Sequence, residues 1–327
     1  MKNKYNKIIF QEAQKSNLIL MFLFVFLSEL IGGIYFNYVR GILLNDAFSR
    51  TANAFYVLFI KPMRLASIGL VWNPLPSLLQ LPFVVLSKFW RPMASSGISA
   101  VIITALCAAL TSILLLKVFT RLDIPRKYSL AIIILYVTNP FVFFYGMNGM
   151  SESIFFLIIV YIVSNITLWI LECSPEYIIK IGFALLVAFY CRYEAIPFAF
   201  AVGIAVLINI FLNKKEKQFI PEDNRKEIYH YAEGTVMVLY APIIYGILIW
   251  IFLNWTIAGN PLYFLNSPYS NTVQSQLIAS SKNAVDILFY VFGKSYAFMP
   301  IFFGIVAIRI ITKRLMEFDF FISMHEV

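Results

Sequence analysis

Charged side chains are scarce in this chain of 327 residues, and their scarcity excludes an ordinary soluble domain. Asp, Glu, Lys and Arg make up 13% of the sequence, whereas roughly 25% of a soluble domain is charged. Hydrophobic residues make up 61%, and the mean hydropathy is +0.79. The composition is that of an integral membrane protein.

Cysteine is also rare, and its placement argues against a disulfide framework or a zinc site. The three cysteines, Cys107, Cys173 and Cys191, are scattered and share no metal-ligand spacing. No ligand cluster in the sequence demands a metal, no metal ligand is assigned and no cofactor is expected, while metal dependence is left open. The 26 Lys and Arg exceed the 17 Asp and Glu, but no basic run is interleaved with aromatics in a soluble segment. Nucleic acid is not an expected partner, and the basic surplus indicates cytoplasmic loops and anionic membrane lipids.

Long apolar runs, by contrast, are abundant. A helix of about 20 apolar residues crosses a hydrocarbon core of about 30 Å. The sequence predicts an all-α, polytopic protein with about eight spans, the first typical of an uncleaved signal anchor. These spans are Leu18–Tyr38, Ile98–Lys117, Tyr128–Tyr145, Ile154–Leu171, Tyr177–Cys191, Ala195–Leu212, Thr235–Asn254 and Ile287–Ile311.

The distribution of positive charge predicts the orientation of these spans. With both termini in the cytoplasm, 17 of the 26 cations fall on the inner side, as the positive-inside rule requires. Arg192 to Glu194 then form an outer turn between the fifth and sixth spans. We expect a multi-pass protein of the bacterial plasma membrane, or of the endoplasmic reticulum membrane if the host is eukaryotic.

The loop between the first two spans departs from this charge rule. Residues 40–97 carry six cations and a single carboxylate, Asp46, on the predicted outer face. A long loop can cross regardless of its charge, but six cations around one acid indicate a site for an anionic, phosphorylated substrate. The cations are Arg40, Arg50, Lys61, Arg64, Lys88 and Arg91.

The same loop predicts two amphipathic helices lying in the membrane interface. In the first, Phe48, Ala52, Phe55 and Phe59 recur at helical spacing, with Arg50 on another face. The second begins near Trp72 to Pro76, where Asn73 suits the N-cap and Pro74 the first turn. Its apolar set is Leu75, Leu78, Leu79, Pro82, Phe83 and Leu86.

Four short motifs resemble segments of the GT-C glycosyltransferases. Asn45 to Ala47, followed by Trp72 to Pro76, is similar to the first outer loop of the protein O-mannosyltransferases and their bacterial relatives. There an acidic motif precedes a His-Pro-Pro-Leu-like segment. Asn139-Pro140 with Gly149 to Ser153 resembles the Pro and Ser-Glu-Ser pattern of GPI mannosyltransferase-like members. Cys191 to Ala195 and Gly259 to Phe264 resemble segments of bacterial members, so the likeness covers about residues 18–270.

The resemblance implies one membrane-embedded GT-C-like domain over residues 1–327, with residues 40–97 as its extracytoplasmic catalytic loop. It implies transfer of a sugar, such as mannose, from a polyprenyl-phosphate carrier to an unidentified extracytoplasmic acceptor, with inversion and with Asp46 as general base. The chain departs from the family at Asn45 and Asn73, where relatives have a second acid and a histidine. It also has about eight spans where relatives have eleven or more, so the chain is either truncated or unusually short.

Six further residues are candidates for substrate binding, and four of them have a structural alternative. Arg50, Arg64 and Arg192 suit the leaving phosphate, although Arg192 and Glu194 also suit an ion pair within a tight hairpin. Glu152 suits a sugar hydroxyl or a first-turn carboxylate, and Tyr263 suits a sugar or lipid pocket or an interfacial aromatic.

Asp46 itself also suits a helix N-cap, and Asn73 joins the candidates through its motif. Glu29, inside the first span, is either functional or a protonated acid packed between helices.

Two other functions remain open. A transporter or lipid-linked sugar flippase predicts inverted repeats and polar groups at mid-membrane. The sequence shows no internal repeat, and its polar groups cluster at one surface. An inactive partner subunit would fit the single acid of the first loop.

Overall fold

The computed structural model describes residues 2–212 and 225–270, with five isolated positions further on. Within these ranges all regular structure is helical. Four stretches are long and apolar enough to cross a membrane: Leu18–Val39, Ile98–Arg121, Glu152–Glu172 and Lys226–Ala258. The predicted all-α class with apolar spans is therefore confirmed for four such helices, or five if a bent pair counts as one.

The described ranges contain twelve α-helices. Their bounds are α1 Lys2–Gly33, α2 Asn45–Phe59, α3 Leu75–Val84, α4 Pro92–Ser95, α5 Ile98–Arg121, α6 Arg126–Val137, α7 Pro140–Met147, α8 Glu152–Glu172, α9 Pro175–Cys191, α10 Ala195–Leu212, α11 Arg225–Ala258 and α12 Tyr263–Asn266. A π-helical segment, Ile34–Val39, continues α1. Two 3₁₀ turns, Leu65–Ile68 and Val85–Lys88, lie beside α3.

The predicted third span is broken. α6 and α7 meet at an angle of 64° across Thr138 and Asn139. Pro140 disfavours helical backbone at the residue before it. The side chain of Asn139 then caps α7, accepting from Phe141 N at 3.0 Å and from Val142 N at 3.4 Å. The local sequence therefore ends one helix and starts another inside a single apolar run.

The fifth and sixth predicted spans correspond to α9, of 17 residues, and α10. They are separated by the turn at Arg192 to Glu194, where Arg192 has extended backbone. The eighth predicted span, Ile287–Ile311, lies outside the described residues except for isolated positions. The count of eight spans therefore stays a prediction.

Two hydrophobic clusters hold the long helices together. The larger joins α5, α8, α9, α10 and α11 around buried Trp169, Phe189 and Trp250. The smaller joins α1, α5 and α6. Gly33 permits the close approach of α1, because a Cβ at this position would overlap Val101 and the carbonyl oxygen of Met147.

In the loop between the first two spans, α2 and α3 bury their polar sides. Thr51 Oγ1 donates to Gln80 Oε1 at 2.7 Å, and Ser99 Oγ donates to the same oxygen at 3.1 Å. All three side chains are buried. The apolar side of α2 is left partly open, with Phe48 40% exposed. An interfacial helix has this orientation when its polar side packs on the protein and its apolar side faces the membrane.

Candidate active site

Residues from three distant parts of the chain line one small cavity of about 60 Å³. They come from the first turns of α2, the segment before α3, and the turn between α9 and α10. The lining residues are Asp46, Arg50, Val71, Trp72, Asn73, Arg192, Tyr193 and Glu194. Five of the eight site residues predicted from sequence therefore share one cavity. Since ligand pockets for whole small molecules occupy about 300–1,000 Å³, this cavity fits one charged group rather than a lipid-linked sugar.

Asp46 stands at the exposed side of the cavity, in the first turn of α2. It is not the N-cap, because that position is Leu44, which makes no side-chain capping bond. The interpretation of Asp46 as a cap was wrong. The helix dipole favours a carboxylate in a first turn. Among the described residues no hydrogen bond or ion pair engages its oxygens, so the carboxylate is available to accept a proton.

Arg50 lies one helical turn after Asp46 and is buried, with 8% of its surface exposed. Its Nε and Nη1 atoms are inaccessible and have no hydrogen-bond partner among the described residues. The guanidinium carbon lies 5.5 Å from the centre of the Trp72 ring. Burial lowers the pKa of Arg50, but an arginine keeps its charge in a protein. The charge of this buried cation favours an anion in the adjoining cavity.

Arg192 has the opposite environment, because its guanidinium is fully engaged. Nη1 lies 2.7 Å from Glu152 Oε1 and donates to Ser151 Oγ at 3.0 Å. Nη2 and Nε both donate to Glu194, at 2.8 Å and 3.3 Å. Burial lowers the pKa of Arg192, but the hydrogen bond with Glu194 and the charge of Glu152 outweigh it and raise the pKa overall. Arg192 therefore holds the two carboxylates in place, and its nitrogens are already engaged without a ligand.

The back of the cavity is held by three hydrogen bonds between distant segments. The amide of Asn73 donates to the carbonyl oxygen of Phe189 in α9. Tyr193 Oη donates to Val71 O at 3.0 Å and accepts from Trp250 Nε1 at 3.1 Å. The prediction that Asn73 caps α3 was wrong, since the N-cap is Pro74 and the Asn73 side chain turns to α9 instead.

Sequence reasoning did not single out Tyr193 or Val71. The sequence did contain one indication for Tyr193, which is its position between Arg192 and Glu194. Since these two residues were predicted to lie at the site, the residue between them lies in the same turn. No local pattern marks Val71, whose carbonyl becomes important only through Tyr193.

Three predicted site residues do not line the cavity. Glu152 approaches it only through Arg192. Arg64 is exposed at the start of the Leu65–Ile68 turn. Tyr263, in α12, packs against the larger hydrophobic cluster, while its neighbour Phe264 stacks on Tyr193 with ring centres 5.4 Å apart.

Comparison of the chain with models of protein families, with curated proteins and with solved structures gave no match. Among the described residues, no three of His, Cys, Asp and Glu come together in a group that could hold a metal ion. The chemistry that this site can perform must therefore be argued from its own side chains: a carboxylate able to take a proton beside a cation able to hold an anion.

Proposed function

We propose that the chain is a membrane glycosyltransferase of the GT-C type. It transfers a hexose from a polyprenyl-phosphate carrier to an acceptor on the extracytoplasmic face of the bacterial plasma membrane, or of the endoplasmic reticulum membrane in a eukaryote. In this proposal the chain has eight spans and both termini in the cytoplasm. The observation that carries the proposal is the cavity that Asp46 and the buried Arg50 share. Among the described residues, the Asp46 carboxylate has no hydrogen bond or ion pair, and Nε and Nη1 of Arg50 have no hydrogen-bond partner.

The reaction assigns one role to each of these groups. An acceptor hydroxyl attacks the anomeric carbon of the sugar from the face opposite the phosphate, and its proton passes to Asp46. The bond from the anomeric carbon to the phosphate oxygen breaks, and the electron pair leaves with the lipid phosphate. A positioned base typically contributes about 10²–10⁴-fold to the rate. Arg50 supplies positive charge where the phosphate gains negative charge, a form of stabilisation for which one donor contributes about 10²–10³-fold.

The other predicted residues support this pair. Arg192 is neutralised by Glu152 and Glu194, and this cluster holds the turn between α9 and α10 at the edge of the same cavity. Asn73 fixes the segment that carries Trp72 against α9. Arg64 and Tyr263 remain candidates for contacts with the parts of donor or acceptor that extend outside the cavity.

The proposal is tested by sugar transfer in proteoliposomes loaded with synthetic radiolabelled polyprenyl-phosphate sugars. We compare the wild type with Asp46→Asn and Arg50→Gln. Asp123→Asn is the matched control, because Asp123 lies in the turn between α5 and α6 and has a left-handed backbone (φ 54°) that asparagine adopts readily. We expect transfer to fall at least about 100-fold in both site variants and to persist in the control.

Two outcomes would contradict the proposal. Donor that stays intact with every variant, across a panel of sugars and acceptors, would favour an inactive partner subunit. Donor that moves between leaflets without losing its sugar would identify a flippase instead.

A further inference from the structure

A second cavity, which we name the aromatic groove, lies on the other side of α2. It has a volume of about 570 Å³ and is bounded by α2, the Val85–Lys88 turn and α4. Its floor is the apolar stripe Phe48, Ala52, Phe55 and Phe59, and the rings of Phe55 and Phe59 stack with centres 4.6 Å apart. The predicted apolar face of α2 thus lines an open groove rather than the protein core.

The aromatic groove is separate from the candidate active site. At about 100° per residue, the stripe of Phe48 and Phe55 points about 180° away from Asp46 and Arg50. A helix with its side chains is about 10 Å across, so one ligand group cannot touch both Asp46 and the floor of the groove. The group that occupies the groove is therefore a different one from the phosphate that Arg50 binds.

The charge of the aromatic groove has one sign. Lys88 and Arg91 line it, and none of its lining residues in the described part of the chain is acidic. Both cations are exposed, and neither forms an ion pair with a described residue. Lys88 Nζ lies 5.7 Å from the centre of the Phe59 ring, so the positive charge stands directly above the aromatic floor.

The position of these cations matches the headgroup level of a membrane. Between them, Phe89 and Trp90 are 88% and 42% exposed. The Trp90 ring contacts Tyr38, near the end of the Leu18–Val39 span, with ring centres 5.9 Å apart. Aromatic and basic residues at the end of a span mark the boundary between hydrocarbon and headgroups.

We propose that the aromatic groove binds one anionic phospholipid from the surrounding leaflet. Its phosphate lies between Lys88 and Arg91, and an acyl chain lies along Phe48, Phe55 and Phe59. The volume falls within the range of about 300–1,000 Å³ that is usual for ligand sites. Two cations without an acid select an anionic headgroup over a zwitterionic one.

Native mass spectrometry in mild detergent tests this site with phosphatidylglycerol and with phosphatidylcholine of the same acyl chains. The wild type should retain one phosphatidylglycerol per chain more tightly than phosphatidylcholine. The double variant Lys88→Gln/Arg91→Gln should bind it about 30-fold more weakly, from the usual contribution of each basic residue near an anionic surface. The control Arg40→Gln/Lys61→Gln removes the same charge from the same loop outside the groove and should change binding less than about 3-fold.

A second variant tests the part of the groove that binds the acyl chain, without altering the charge of the protein. Ala52→Trp fills the floor and should displace the lipid even if the double variant does not fold. Equal retention of both lipids, or undiminished phosphatidylglycerol binding in the double variant, would overturn the proposal. So would displacement of the lipid by millimolar inorganic phosphate, which would indicate a site for free phosphate. Preferential occupancy by a polyprenyl phosphate would assign the groove to the sugar donor and would equally overturn it.

Discussion

Replacing Arg50 by methionine should stabilise the folded protein while removing its anion site. The Nε and Nη1 atoms of Arg50 are buried without partners among the described residues, and each buried donor left unpaired costs about 1–3 kcal/mol. Methionine matches the arginine side chain as far as the ε position, has no donors and is flexible enough to fill irregular space. Against this gain stands the contact with the Trp72 ring, which contributes about 0.5–2 kcal/mol. We expect a net gain of about 1–3 kcal/mol in the free energy of unfolding.

The same substitution at Arg192 should have the opposite effect. Arg192→Met leaves Glu152 and Glu194 without their cation, and Glu152 is only 18% exposed in its side chain. Breaking a buried ion pair on one side costs about 3–5 kcal/mol, but partial exposure of these groups reduces the expected loss to about 2–4 kcal/mol. The two arginines line one cavity, but the two substitutions should change the free energy of unfolding in opposite directions.

Thermal unfolding in detergent, followed with a thiol-reactive dye, measures both variants. Cys107 and Cys191 are free and buried, so they react with the dye only when the helices separate. Inorganic phosphate provides a second measurement, because a ligand at 100 times its Kd raises stability by about 2.7 kcal/mol. Phosphate should raise the unfolding temperature of the wild type and of Asp123→Asn, but not of Arg50→Met.

Destabilisation of Arg50→Met to the same extent as Arg192→Met would refute the reasoning. It would mean that Asp46 and Glu152 already compensate the charge of Arg50 in the folded protein, so that Arg50 does not need a bound anion. A phosphate effect that survives in Arg50→Met would place the anion elsewhere.

Other substitutions test the packing around the cavity and between the membrane helices. Burial raises the pKa of Glu194, but the hydrogen bond from Arg192 outweighs it and lowers the pKa below the usual 4.5. Its stabilisation is therefore complete above about pH 4.5 and lost as the pH falls through the lower folded-state value. Glu194→Gln should flatten the acid limb of urea unfolding, and an unchanged limb would contradict the ion pair. Tyr193→Phe leaves Trp250 Nε1 unpaired and should cost about 1–3 kcal/mol in the same assay; a neutral result would show that water replaces the hydroxyl. Gly146→Ala would place a Cβ against the buried Glu29 carboxylate and should cost about 1–3 kcal/mol, whereas wild-type stability would show that α1 and α7 separate without penalty.

The positions of the long helices were predictable because the signal for them is local. An apolar run of about 20 residues is recognisable without knowledge of its neighbours, and the described helices Ile98–Arg121 and Glu152–Glu172 overlap the predicted spans almost completely. The break at Asn139 was missed, although Pro140 stood in the sequence, because the apolar character continues across it. The number of spans and the glycosyltransferase activity stay predictions.

The candidate site was predictable as a set of residue types but not as a set of contacts. Its motifs indicated which polar residues stand near the ends of apolar runs. They did not indicate that Asn73 would bond to Phe189 rather than cap α3, because 116 residues separate the two. For the same reason the sequence did not indicate that the polar face of α2 would pack against the protein, where Thr51 is buried against Gln80.

By itself the sequence determined that this protein is helical and belongs in a membrane, because composition and apolar run length depend on no long-range contact. It also determined that the loop of residues 40–97 is basic around a single acid. Only the tertiary structure decided what each cation does. It buried Nε and Nη1 of Arg50 without a hydrogen-bond partner among the described residues, enclosed Arg192 between two carboxylates and left Arg64 exposed. The three arginines have identical side chains, so they differ only in the residues that surround them. Those residues come from distant parts of the chain, and only the tertiary structure brings them together.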